Sequence, residues 1–140
     1  MEIRNTIIYT LALFLCSLPN NASASEKAYK RLFLKKVYHF GNKNRFNLSN
    51  VNRDKYFNCI MQATIKTTVS AKGEVINVEV IKPAPAPKVN KYFIYIINQA
   101  SPYHSLENYL DSDVHQFTFE QEFKLKVSHY ENSNVTAPCN

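Results

Sequence analysis

Residues 59–82 read CIMQATIKTTVSAKGEVINVEVIK. Met61, Ala63, Ile65, Thr67 and Val69 alternate with Gln62, Thr64, Lys66, Thr68 and Ser70. Period-two alternation turns one set toward a core and the other toward water, and β-branched side chains suit such a pleated, half-buried surface. Ala71-Lys72-Gly73 is then a short turn with glycine where a left-handed residue is needed. Residues 74–82 return with Ile76, Val78 and Val80 on one face. The segment predicts a β-hairpin, and the rest of the chain must cover its apolar side.

Downstream, Pro83-Ala84-Pro85-Ala86-Pro87 stops the ladder, because proline has no N–H to donate. The run predicts a stiff, extended connector rather than a ligand for a proline-reading partner. Residues 88–101 predict a helix with a wide apolar stripe of Val89, Phe93, Ile96, Ile97 and Ala100, ended by Pro102. Residues 103–113 predict a loop, with one helical turn around Leu106 to Leu110. Residues 115–127 predict a last strand in which Phe117, Phe119, Phe123, Leu125 and Val127 alternate with Thr118, Glu120, Glu122, Lys124 and Lys126. Gln121 is an exception on the apolar face. A polar tail follows from Ser128.

Upstream, residues 25–38 predict a helix, with Tyr29, Leu32, Phe33 and Val37 at helical spacing. Lys27, Lys30, Arg31, Lys35 and Lys36 are read as its solvated face. Residues 41–54 are polar, asparagine-rich and without pattern, which predicts a loop. Residues 1–24 have the form of an export signal: Arg4, the apolar run IIYTLALFLC, then Ala22-Ser23-Ala24 as a cleavage site after Ala24. The run is too short to span a bilayer comfortably. The expected division is therefore 1–24 signal peptide, 25–58 helix and polar loop, and 59–140 core with tail.

The chain has 140 residues, 45% of them hydrophobic and only two of them glycine, enough for one domain with a real core. Helix, hairpin, helix and strand make an α+β order. The economical packing is a three-stranded antiparallel sheet with two helices on one face. Chemistry-bearing patterns are scarce. His39, His104, His115 and His129 have no partner at metal-ligand spacing. Asp111 and Asp113 beside His115 are read as turn residues rather than an acid–base pair. Two glycines could hardly build a phosphate loop, and no nucleophile elbow is present. The expectation is a non-enzymatic protein with no cofactor and no metal. The net charge of +6 fits an acidic partner or surface, but no nucleic-acid motif accompanies it.

These residues resemble the C-terminal domain shared by TonB and TolA, the envelope energy transducers of Gram-negative bacteria. The likeness rests on CIMQATIKTTVSAKGEVINVEVIK with its K-G-E turn, on the helix VNKYFIYIINQASP, and on the phenylalanine-rich strand HQFTFEQEFKL. Ala100-Ser101-Pro102 closing the second helix resembles the TolA side. The transducers carry an uncleaved membrane helix and a long spacer, so the expectation here is a stand-alone exported domain of the periplasm, with no stable membrane insertion after cleavage.

The resemblance implies a protein-binding domain that engages envelope proteins by adding a strand to a sheet edge. Tol-type components, a toxin, a phage tip or an enzyme are the partners in view. The last strand is the implied edge, with Gln116, Thr118, Glu120, Glu122 and Lys124 as binding residues. The alternative is a secreted or periplasmic inhibitor or immunity protein that uses the fold as a scaffold. If the last strand lies beside the first, as the family implies, the tail can return Cys139 to Cys59. That pair is the expected disulfide, against two free thiols or an intermolecular bridge.

Overall fold

The computed structural model describes residues 8–10, 24–44, 56, 58–128 and 134–140. In chain order the elements are β1 (Ile8–Thr10), α1 (Ala24–Lys43), β2 (Cys59–Ser70), β3 (Val75–Lys82), α2 (Pro87–Gln99), a 3-10 turn (Leu106–Asn108) and β4 (Gln116–Ser128). The three strands expected from alternation form an antiparallel sheet with β2 in the middle, between β3 and β4. A short fourth strand joins them: β1 pairs antiparallel on the outer side of β4, with Ile8 opposite Ser128 and Thr10 opposite Lys126. β1 falls inside the segment read as an export signal. Cys16, Ala22 and Ser23 of that segment lie outside the described residues, as do His129 and residues 45–54 of the expected loop.

One face of the sheet is the core. β2 buries Met61, Ala63, Ile65, Thr67 and Val69, and β4 buries Phe119, Gln121, Phe123, Leu125 and Val127. Both helices lie on that face. The ring of Phe33 in α1 meets Phe119 edge-on at 4.9 Å, and Phe93 in α2 lies 5.5 Å from Phe123. Val89, Tyr92, Phe93, Ile96 and Ile97 of α2 are all buried. Removing each such large side chain from water contributes about 2 kcal/mol, which is how a thin sheet and two helices offset their ordering entropy.

Three boundaries depart from the expectation. α1 runs on through Gly41, where a loop was expected. Gly41 is buried, its carbonyl accepts the Tyr92 hydroxyl at 2.7 Å, and the Asn44 amide donates to the Phe40 carbonyl at 2.9 Å. These bonds outweigh the cost of about 1 kcal/mol for glycine in a helix. α2 starts at Pro87, in the first turn, where the missing N–H costs nothing. In the connector before it, Ala84 and Ala86 are buried while Pro83, Pro85 and Pro87 are exposed. Asn90 holds this stretch by accepting from the Ala84 N–H (2.8 Å) and donating to the Ala84 carbonyl (3.0 Å).

The third departure is in β3. Thr68 faces Asn77 while Val69 faces Val75, and Thr64 faces Lys82 while Ile65 faces Val80. β3 therefore carries one extra residue at Ile76 and another at Ile81. The bulge at Ile76 turns that side chain out of the core, to 56% exposure, whereas Ile81 lies off the core face by alternation and is 37% exposed. Val75, Val78 and Val80, not Ile76, pack on the core side.

The hairpin turn and the loop after α2 hold one another. Gly73 has φ +84°, and a Cβ there would lie 2.3 Å from the Tyr103 carbonyl oxygen. The Tyr103 N–H donates to Gly73 (2.8 Å), and the Leu106 N–H and Ser105 hydroxyl donate to Ala71 (2.9 and 3.0 Å). Only glycine fits there, by conformation and by space. At the other end of β2, Ile60 donates to Ala137 (2.8 Å) and accepts from Cys139 (2.9 Å). The tail thus continues beside β2 on the β3 side. It brings Cys139 to disulfide distance of Cys59, with Cα atoms 4.9 Å apart.

Candidate strand-docking edge

β4 is paired to β2 in unbroken register, from Cys59 opposite Val127 to Ser70 opposite Gln116. Which backbone groups point where follows from two bonds. The Ser70 N–H donates to Glu74, toward the β3 side, and the Ala71 N–H donates to His115, toward the β4 side. Because peptide groups alternate along a strand, odd-numbered residues of β2 face β4. Their partners in β4 are odd-numbered too, so the even-numbered residues of β4 direct N–H and C=O outward. Gln116, Thr118, Glu120, Glu122 and Lys124 all belong to that outward set. The structure brings the five together on one strand, with their side chains on the polar face of the sheet.

Their surroundings differ along the strand. Thr118 shares a hydroxyl hydrogen bond with Thr68 across the ladder (2.8 Å). Glu122 and Lys124 form an ion pair at 3.5 Å. Farther on, Lys126, Val127 and Ser128 are paired with β1. Gln116, Thr118 and Glu120 are exposed and face no other strand among the described residues.

On the helix side of the same strand, α1 lies over Phe117 and Phe119. Tyr29 meets both rings edge-on, at 5.8 and 6.2 Å. Its hydroxyl donates to the His104 carbonyl (3.1 Å), and burial pushes its pKa up to about 12, with the neighbouring Tyr109 adding to the shift. Tyr103, whose hydroxyl donates to Ile97 (2.7 Å), is raised further by the same desolvation. Both phenols are held neutral and structural.

Lys30 was assigned to the solvated face of α1, and that is corrected. It is only 6% exposed, with Nζ 6.0 Å from the Phe117 ring centroid and 5.8 Å from that of Phe119. The signal was in the spacing: Lys30 stands three residues before Phe33 and seven before Val37, on the apolar stripe. Gln121, the exception on the apolar face, is also buried. Its Nε2 donates to the outward carbonyl of Glu122 (3.3 Å), and its Oε1 accepts no hydrogen bond from any described residue.

Elsewhere the chemistry is spare. Asp111, Asp113 and His115 are exposed, and the Asp111 carbonyl accepts the Val114 N–H (3.0 Å) to close a turn. Among the described residues, no group of three histidine, cysteine or carboxylate side chains could hold a metal ion. No described helix is long and apolar enough to cross a membrane. No protein-family model, curated protein or solved structure matches the chain.

Proposed function

We propose that this chain is an exported, non-enzymatic binding domain of the TonB/TolA C-terminal type, and that in the periplasm it takes a strand from another envelope protein onto the outer edge of β4. The observation that carries the reading is the outward backbone of Gln116, Thr118 and Glu120, which faces no other described strand. An edge of this kind is a template for main-chain hydrogen bonds, which supply affinity while side chains select. Two further features support it. β1 pairs antiparallel on the same edge at its far end, so the geometry there accepts a strand. The last strand beside the first, with both helices on one face, is also the arrangement the resemblance implies.

Thr118→Pro tests the reading. It removes an outward N–H and leaves the β2 ladder intact, so the fold loses about 1 kcal/mol. Envelope proteins captured by the unmodified chain are expected to be lost with Thr118→Pro at unchanged circular dichroism. Equal capture by both would remove the edge from the reading. N-terminal sequencing of the protein from a periplasmic fraction is expected to begin at Ser25.

A further inference from the structure

We propose that the edge of β4 selects a partner strand carrying a carboxylate on its helix-facing side, and that the ammonium of Lys30 receives it. The inference rests on the strand-docking reading above and names the chemistry of the partner. Lys30 is more than nine-tenths buried on α1, directly over the core side of the edge strand. Its contacts are the faces of Phe117 and Phe119, and no described carboxylate forms an ion pair with it. Among the described residues the charge of Lys30 has aromatic faces as its partners, and rings recover only a fraction of the hydration that packing takes from the side chain. An anion arriving beside it would recover much more.

Register says where that anion must come from. Since even-numbered residues of β4 offer outward hydrogen bonds, an added antiparallel strand pairs with Gln116, Thr118 and Glu120 through its backbone. The residues it sets opposite Phe117 and Phe119 then form non-hydrogen-bonded pairs, in which side chains approach most closely. Those side chains point to the helix side, under α1, where Lys30 lies. Two residues farther along the same face, the buried Oε1 of Gln121 accepts no hydrogen bond from any described residue and asks for a donor. On the opposite face, exposed Glu120 favours a basic residue across from it. The occupant is therefore an extended segment with Asp or Glu facing the helix, a hydroxyl or amide donor two positions away on that face, and Lys or Arg facing water.

The test uses the full chain and two synthetic ten-residue peptides of alternating valine and threonine, with a lysine on the polar face. They differ only in Glu or Gln at one helix-facing position. Fluorescence anisotropy is expected to show the Glu peptide binding about tenfold tighter, as for a hydrogen bond gaining a charge. Lys30→Met, which keeps the apolar stem, should erase that preference, and Lys30→Arg should retain it. Equal binding of both peptides to the unmodified chain overturns the role of Lys30 while leaving strand addition standing. A Glu preference that survives Lys30→Met overturns it as well. Binding of neither peptide overturns the docking edge and this inference together.

Discussion

The two outer strands β3 and β4 are paired to the central strand in different ways. β3 pairs with β2 through two register breaks, and its bulged residues are the exposed Ile76 and Ile81. Prolines follow it at once, and the C-terminal tail occupies the remaining length of β2 on that side. β4 pairs with β2 without a break along its length. Bulges twist an edge and spoil it as a template, whereas a regular edge presents evenly alternating donors and acceptors. The difference separates a bulged edge from a regular one, and the regular edge is the one proposed to receive a strand.

The largest expected effect is on the bulged side. Replacing both Cys59 and Cys139 with alanine releases the tail from beside β2. With a sequence separation of 80, the loss is expected to be about 4 kcal/mol in urea titrations, on the chain-entropy account. Binding at the β4 edge should survive at low denaturant. Next in size is a proline pair on β4 itself. Gln121→Pro removes an N–H directed at β2, opposite Ile65, and should cost about 3 kcal/mol. Glu120→Pro removes an outward one and should cost about 1 kcal/mol while abolishing strand capture. Equal destabilisation by the two would break the assignment of inward and outward groups.

A smaller effect concerns the aromatic roof over the β4 edge. The Tyr29 hydroxyl is raised to about 12 in the folded state and titrates near its ordinary 10.0 when unfolded. The unfolded chain therefore releases that proton first as pH rises. The stabilisation is fully present below about pH 10 and declines as the pH climbs toward 12. Thermal melts across that window should show Tyr29→Phe losing less stability than the unmodified chain. The smallest effect is at the bulges. Ile76→Thr and Ile81→Thr should change stability by about 0.5 kcal/mol or less, since these side chains already meet water. A larger loss in denaturant titrations would mean that the β3 edge is covered by something.

Much of the architecture was legible in local pattern. The hairpin, both helical stripes, the phenylalanine strand and the buried position of Gln121 all follow from period-two or period-3.6 spacing, because that spacing alone decides which side chains share a face. The five candidate edge residues were legible as one face of the last strand. Lys30 was misread because charge was weighed above spacing. Ile76 was misread because alternation assumes an unbroken register. Gly41 was misread because the asparagine-rich stretch it opens has no apolar spacing, while the contact that holds it in the helix comes from Tyr92 on another helix.

What the amino-acid sequence determined by itself is the set of elements and the apolar face of each, since both depend on neighbours a few residues away. Tertiary structure alone decided which strand lies at which edge, where β3 bulges, which backbone groups turn outward and which lysine is roofed by aromatic rings. Those features arise where segments far apart in the chain meet, and their geometry depends on both partners at once.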